Sequence, residues 1–540
     1  MAEHWFDRLI EELASRLERR GKRELVFNGG LSVSGLQHIG RLRGEVILVE
    51  AVRREFERRG FKVRQYLTLY TQDPWKGKKE QLERFKDAKE ASRYVGWPLK
   101  DVPDPEGCHA GWVEHYWSEF GPYIGEFTDG RVEVVTTTEL YKGRLKEFAL
   151  KVIMPRREEV RRVINRYRGR KPYPEGWIPL EPRCARCGRI DSTEALEVRG
   201  ERVRYRCRNC GYEGEGSVED SKLNWRIEWV GVWWSLGVDF EPYGKDHATP
   251  GGSRDSCVEL AMSLGIEPPE GVWYEWVAFR GEGGEADMTS SGFVGVTPRE
   301  WLEVAHPQVL RFLFFLHPPH RKITIDLREV PQYYSQYYRA ERVYFGLEDA
   351  GGEAGVLART YELSHPVKPP ERPPSQVPYI HAAIVAQVVG EERLESEGLA
   401  RLRKAGMLGD DAYSVEWARS LLRKALAWAR KYAPPALRFT VPEKVDPEAA
   451  ARIERPDLLD ELAAALESLG EWSEGSIKEA LIKFGEGMSP GERRRFYRDF
   501  YLAIVGKPEG PRAAPLLALM RKSDVVERLR EAARLARARR

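Results

Sequence analysis

The chain has 540 residues, of which 42% are hydrophobic and 32% charged, and a formal net charge of +3 at pH 7. That length is too great for one hydrophobic core, so about three to five domains are expected. The absence of any run of about 18 uncharged apolar residues predicts no membrane span. The charged segment Met1–Arg20 carries no apolar signal region, so a cytoplasmic protein is expected. Heavy Arg and Glu usage with only four Asn is a composition similar to that of heat-adapted proteins.

In chain order, Phe6, Leu9, Ile10, Leu13 and Leu17 fall at helical spacing and predict a short amphipathic helix. Leu25–Phe27 reads as a buried strand bounded by Gly29 and Gly30, and Val46, Leu48, Val49 and Val52 read as a helix. Further strand-like runs at Val63–Tyr70 and Val132–Thr138 alternate with helical stretches, which argues a parallel α/β sheet. Residues 180–216, rich in cysteine, charge and glycine, interrupt it. The pattern then resumes with a strand at Val238–Phe240, a helix near Ser253–Leu264 and a strand at Val272–Phe279. The proline-dense segment His365–Pro374 is a linker. Residues 379–540 are helical in pattern, broken at Pro434-Pro435 and at Gly506–Pro511. The last twenty residues, Arg521–Arg540, carry eight basic and three acidic residues, which suits a solvated helix or a contact to a nucleic-acid backbone.

Between the first strand and the first helix of the sheet lies Ser32-Val33-Ser34-Gly35-Leu36-Gln37-His38-Ile39-Gly40-Arg41. Glycines at a strand-to-helix turn let the backbone approach a phosphate, and the first helical turn offers unpaired N–H groups. His38 can donate there without a permanent charge. A second turn of the same kind, Gly244-Lys245-Asp246-His247 with Gly251-Gly252-Ser253-Arg254-Asp255, follows the strand at 238–240, where doubly wound sheets bind ligands. Ser253 reads as a helix N-cap and Asp255 as a favourable charge in the first turn. The glycine- and serine-rich segment Gly281–Gly292 reads as a flexible loop that can close over phosphates.

Two clusters have metal-ligand spacing. Cys184-x2-Cys187 and Cys207-x2-Cys210 are separated by nineteen residues, each pair followed by a glycine, as in closed tetrahedral Zn²⁺ sites. Asp104, Cys108, His109 and His115 supply one carboxylate, one thiol and two imidazoles within twelve residues, equally readable as a second zinc site or as a plain loop.

Together these segments resemble the class I aminoacyl-tRNA synthetases, and most specifically the archaeal-type class I lysyl-tRNA synthetases. The class pattern HIGH falls on His38-Ile39-Gly40-Arg41. Val102–Pro105 with Cys108-His109, Thr138–Tyr141, Trp225–Trp229 running on to Gly244–His247, and Gly510-Pro511-Arg512 look like the lysyl group's own stretches. The resemblance implies an α/β Rossmann-like class I catalytic domain with zinc-binding insertions, followed by an all-α anticodon-binding region. In residues, it implies an N-terminal helix at 1–24, catalytic halves at 25–100 and 221–300, an insertion with two zinc sites at 101–220, a stem-contact region and linker at 301–378, and an anticodon-binding domain at 379–540. It also implies a monomer acting on ATP, Mg²⁺, L-lysine and tRNA(Lys), with no membrane. Its Asp, Cys, His, His zinc set falls on Asp104, Cys108, His109 and His115.

By the same resemblance, Gly35, His38, Gly40, Gly244, Asp246 and His247 hold ATP. Gly30, Ser32, Glu45, Tyr274 and His247 hold lysine, although Glu45 stands one residue further from His38 than the family leads one to expect. His38, Gly40, Arg41 and the KMSKS-like loop Met288-Thr289-Ser290-Ser291 serve catalysis. Trp225 and Trp229 are expected to pack rather than touch substrate. The chain departs from the pattern at Arg41, in place of histidine, and at Asp287, in place of the first KMSKS lysine; neither lysine is present. Arg280, Arg41 and Arg299 are the candidate replacements. Trp428, Arg430, Lys431, Tyr432 and Arg493–Arg495 suit contact with an anticodon limb. The alternatives are a glutamyl-like class I synthetase, a catalytically retired tRNA-binding paralogue, and a zinc-ribbon nucleic-acid-binding protein.

Overall fold

A computed structural model describes residues 3–169 and 171–538. The chain divides into two compact units. One holds residues up to 301 together with 307–326 and 346–369; the other holds 302–306, 327–345 and 370–540. The expected stem-contact region, 301–378, is thus shared between the two.

In the first unit, β1 (Glu24–Leu31), β2 (Lys62–Leu69) and β3 (Val132–Thr136) form a parallel sheet. The predicted strand at Val238–Phe240 is reduced to isolated parallel bridges of Phe240, one to Phe27 on the free edge of β1 and one to Glu270 on its other side. Even so, the Asn28 N–H donates to the Phe240 carbonyl at 2.9 Å and the Asp239 N–H to the Val26 carbonyl at 2.7 Å, so the segment extends the sheet. β1 runs through Gly29 and Gly30 rather than stopping at them. A Cβ on Gly29 would lie 2.0 Å from the Glu45 carbonyl oxygen, so glycine is what lets the following helix press onto the strand.

That helix begins as Ile39–Arg41, passes through a π-helical segment at Leu42–Leu48, and continues as Val49–Arg58. The cysteine-rich insertion contributes β4 (Leu180–Pro182), the three-stranded antiparallel sheet β5 (Thr193–Arg199), β6 (Arg202–Cys207) and β7 (Glu213–Ser217), and β8 (Ser221–Leu223), which pairs with β4. The helix Trp225–Leu236 is apolar nearly all round and lies in the core with Leu145, Phe148 and Leu260. After β9 (Tyr243–Gly244), the helix Ser253–Ser263 is capped by Gly252, not by Ser253; Asp255 accepts from the Gly251 N–H at 2.8 Å.

The expected strand at 272–279 splits into β10 (Trp273–Tyr274) and β11 (Val277–Gly281). The expected flexible loop begins as a hairpin, since β12 (Gly284–Asp287) pairs antiparallel with β11, which also pairs with β13 (Ile323–Ile325). The second unit is helical, with long helices at Val330–Tyr344, Ala412–Lys431, Pro490–Val505 and Lys522–Ala538. Arg539 and Arg540 of the basic C-terminal stretch lie outside the described residues. Among the described residues no helix is long and apolar enough to cross a membrane.

Candidate active site

A cavity of about 970 Å³ opens at the carboxyl ends of β1 and β2. His38 and His247, from turns more than two hundred residues apart, both line it. So do Gly40, Arg41, Gly244, Asp246 and the segment Met288–Ser291, with Gly30, Ser32, Glu45 and Tyr274. Of the residues singled out for ATP or lysine, Gly35 alone is not in the wall. It packs behind it, where a Cβ would meet the Ser290 carbonyl oxygen at 2.5 Å, and so lets the His38 turn and the 288–291 segment touch. Trp225 and Trp229 also line the cavity, with the His247 ring 5.8 Å and 5.2 Å from theirs, so they are not packing residues only.

One end of the cavity is acidic and deep. The Glu45 carboxylate accepts from the Gly30 N–H at 2.8 Å and from the Tyr274 hydroxyl. Burial is the main reason its pKa is pushed up to about 7, with Tyr274 and Gly30 holding it lower than burial alone would. A Cβ on Gly44 would lie 2.3 Å from the Tyr274 ring, so glycine there is what admits the tyrosine. The extra residue between His38 and Glu45 falls where the helix is π-wound. A π turn closes i→i+5 rather than i→i+4 and holds one residue more, so the longer spacing still turns Glu45 inward.

The other end is basic and shallower. His38 is the N-cap of the Ile39–Arg41 turn, and burial lowers its pKa to about 3, with Arg41 adding to the effect, so the ring is neutral. The helix start is less open than expected, because the Ile39 N–H already donates to the Val296 carbonyl at 2.8 Å. Arg41 Nε donates to Ser290 Oγ at 3.0 Å, and Lys78 Nζ to Ser291 Oγ at 2.9 Å. Two of the three expected replacements for the missing lysines stand outside the cavity wall: Arg280 pairs with Glu285 across the hairpin and Arg299 with Glu119, each at 2.9 Å. Arg41, Lys76 and Lys78 are in the wall. Asp287 pairs with Lys322 at 2.6 Å.

A third group sits between these ends and the insertion. Lys222, 3% exposed, pairs with Asp73 at 3.0 Å and with Glu228. Tyr141 donates to Glu228 at 2.8 Å and accepts from the Leu223 N–H at 2.7 Å. This network gives physical content to the Thr138–Tyr141 and Trp225–Trp229 stretches. Sequence reading passed over Lys78, Lys222 and Glu241, which carry no motif; Lys222 lies within β8 and Glu241 directly follows the bridged Phe240.

The four thiols of the insertion bring their sulfur atoms together: Cys184 to Cys210 and Cys187 to Cys207 are each 3.6 Å apart. Gly188 and Gly211, at φ +75° and +69°, donate to the Cys184 and Cys207 carbonyls at 2.9 Å and close the two turns. The buried core here is Cys184, Tyr205 and Cys207, with little else around it. In the second cluster, Cys108 Sγ lies 3.1 Å from His109 Nδ1 and 3.4 Å from His115 Nδ1, which is 3.0 Å from an Asp104 oxygen. Such edges are close to those of a tetrahedron around Zn²⁺ with bonds of about 2.0–2.3 Å. In both sets all four donor atoms lie within 4.8 Å of one another, so both fit the ion.

In the helical unit, Trp428 is buried and donates to the Leu327 carbonyl at 2.8 Å, which makes it a core residue and not a stacking platform. Arg430 pairs with Glu391 at 2.8 Å and Lys431 with Glu303. Arg493 and Arg494 line a small cavity with Met488, Pro490 and Tyr497. On the C-terminal helix, Arg530 and Arg537 pair with Glu467 and Asp460, as a solvated helix face does.

A parallel sheet whose first crossover presents His38 and Gly40 at the strand ends, facing a second glycine-bearing turn across one cavity, defines the catalytic domain of a class I aminoacyl-tRNA synthetase. Residues 3–367 match the family described as tRNA synthetases class I (K), and residues 432–533 match the anticodon binding domain. The chain is 71% identical over 540 residues to a lysine–tRNA ligase of Aeropyrum pernix, covering 99% of each chain. It is 31% identical to that of Pyrococcus horikoshii, over 98% of this chain and 99% of that one, and 30% identical to that of Methanocaldococcus jannaschii, over 97% and 99%. The chain belongs to the tRNA synthetases class I (K) family and carries a helical C-terminal anticodon-binding domain.

Proposed function

We propose that the protein ligates L-lysine to tRNA(Lys) at the expense of ATP, through a lysyl-adenylate formed in the 970 Å³ cavity. The observation that carries the reading is Glu45: a buried carboxylate on the wall of a nucleotide-type pocket, hydrogen-bonded to Gly30 and Tyr274 and left for a cation to meet. In the first step the lysine carboxylate attacks the α-phosphorus of ATP and pyrophosphate leaves. Glu45 and Tyr274 hold the side-chain ammonium; Gly30 and Ser32 hold the backbone end. Neutral His38 donates to the phosphates, Gly40 lets them approach, and Arg41 with the Met288–Ser291 segment meets the charge that develops on pyrophosphate. Gly244, Asp246 and His247 bind the nucleoside. Mg²⁺, as in other class I synthetases, adds charge neutralisation at the phosphates. In the second step a ribose hydroxyl of the terminal adenosine of tRNA attacks the lysyl carbonyl carbon, the bond from that carbon to the phosphate oxygen breaks, and AMP leaves. No protein nucleophile is required; positioning and charge stabilisation carry both steps.

The two zinc sets would be structural. Cys184, Cys187, Cys207 and Cys210 would hold one ion and Asp104, Cys108, His109 and His115 the other. A ribbon with so small a core depends on its metal for folding, so chelation should lower its protection in hydrogen exchange before that of β1–β3. We assign residues 25–100 and 221–300 to the catalytic halves, 101–220 to the insertion, 301–378 to stem contact and 379–540 to the anticodon limb. Deleting 379–540 should abolish charging while sparing ATP binding.

Amino-acid-dependent ATP–pyrophosphate exchange, with and without tRNA, tests the reading. Exchange with lysine is expected. Exchange with glutamate instead would assign the pocket to another amino acid, and none with either would mark a tRNA-binding paralogue.

A further inference from the structure

A second buried carboxylate faces the same end of the cavity as Glu45. Glu241, 2% exposed, follows the segment that extends the sheet beyond β1, and its backbone N–H donates to the Glu270 carbonyl at 2.9 Å. Its two oxygens accept from the indole N–H groups of Trp229 at 3.1 Å and Trp233 at 2.6 Å. Those donors are neutral. They fix the carboxylate in place without cancelling its charge, and each oxygen keeps a further lone pair.

Gly30 stands between the two acids. Its N–H reaches Glu45 at 2.8 Å, while a Cβ on it would point to Glu241 Oε1 at 3.4 Å and to the Tyr70 ring at 3.0 Å. Glycine at this position leaves open the space that both carboxylates border. Neither acid has a lysine, arginine or histidine nitrogen within ion-pair distance among the described residues. Arg254 attracts Glu241 only from further away; burial disfavours the ionised form of both acids, and the charge of Glu241 further disfavours that of Glu45. Two buried acids without a counter-ion are costly unless a ligand brings one. An ammonium offers three N–H donors, and a single carboxylate cannot satisfy all of them once water is excluded.

We propose that Glu241 is a second substrate-binding residue, sharing the side-chain ammonium of lysine with Glu45 from the opposite side of Gly30. This rests on the lysine reading of the pocket and extends it. Glu45 with its tyrosine fixes one N–H of the ammonium, Glu241 with its two tryptophans fixes another, and the pair together excludes uncharged side chains of similar length. A site built to satisfy a buried polar group of its substrate rejects analogues that lack it by large factors.

The variant Glu241→Gln keeps the shape and, through its one amide oxygen, one of the two indole contacts, and it removes the charge. In lysine-dependent ATP–pyrophosphate exchange its KM for lysine should rise by about 10- to 100-fold, the range for a charge-assisted hydrogen bond. Its kcat and its KM for ATP should stay within about threefold, which a loosened fold would not allow. A lysine KM within about twofold of the parent overturns the proposal. Glu45→Gln run alongside separates the two levels: a raised lysine KM there with none in Glu241→Gln removes only the proposal, and no change in either removes the lysine reading of the pocket.

A measurement on the unmodified protein covers the case in which the variant fails to fold. The groups facing Glu241 are Glu45, Asn28, Tyr70, Trp229, Trp233 and Arg254, of which Glu45 alone shares its titration range. Both carboxyls are pushed up to about 7, chiefly by burial. Calorimetry of lysine binding at pH 6 in buffers of different ionisation enthalpy then counts the protons released. More than one is expected when both acids ionise against the ammonium; one or fewer overturns the proposal.

Discussion

The two ends of the cavity are built on opposite plans. At the end we assign to lysine, Glu45 and Tyr274 are buried, hydrogen-bonded to each other and backed by a helix pressed onto β1 at Gly29. At the phosphate end the cations Arg41 and Lys78 rest on the hydroxyls of Ser290 and Ser291, and Lys76 and Lys78 are exposed. On the proposed assignment, the lysine end sets its buried acids in place ahead of the ligand, while the phosphate end relies on Arg41 and Lys78 exchanging serine hydroxyls for phosphate. Preorganised burial gives selectivity, because a wrong ligand leaves acids unpaired. Side chains that exchange partners suit a charge that appears only during the reaction.

This contrast can be tested from either side. The largest effect is expected from Glu45→Gln, which leaves the ammonium without its principal counter-charge. Lysine KM in the exchange assay should rise by about 100-fold, equivalent to about 3 kcal/mol, with ATP KM little changed. Arg41→Ala should do the reverse, lowering kcat by about 10- to 100-fold, the scale of losing one charged donor to a transition state, with lysine KM nearly constant. Acidification should follow the same division. Glu45 binds as the ionised form and is pushed up to about 7 by burial, so its protonation alone should raise lysine KM by about fivefold from pH 7 to pH 6. ATP KM should stay flat over that interval, since His38, held at about 3, is neutral throughout. Lys78→Ala, at an exposed position, should cost about threefold in kcat. A lysine KM that moved in Arg41→Ala as much as in Glu45→Gln would erase the distinction between the ends.

Most of the sheet could be read from periodicity, because β1, β2 and β3 are apolar runs separated by helical stretches. What could not be read were the places where tertiary contact overrides local signals. Gly29 and Gly30 read as a strand end, and only the closeness of Glu45's backbone explains why they continue the strand. Val238–Phe240 reads as a full strand but makes only isolated bridges, both at Phe240. The glycine-rich 281–292 segment reads as a loop, while its first half pairs as a hairpin. At the site, turn chemistry made His38, Gly40 and Gly244–His247 visible, and ligand spacing made both cysteine-bearing clusters visible. Lys78, Lys222 and Glu241 stayed hidden because they act through position, and position is set by elements far apart in the sequence. Of the three candidate replacements for the missing lysines, Arg280 and Arg299 are near Asp287 in sequence but outside the cavity wall, whereas Arg41 is in the wall, and Lys78, which no motif marks, joins it there.

The most direct measurement is a crystal structure with a sulfamoyl analogue of lysyl-adenylate. It should show the lysyl ammonium beside Glu45 and Tyr274, and the phosphate-mimicking group between His38 and Arg41. An analogue bound with its lysyl chain directed away from Glu45, or bound outside this cavity, would contradict the account.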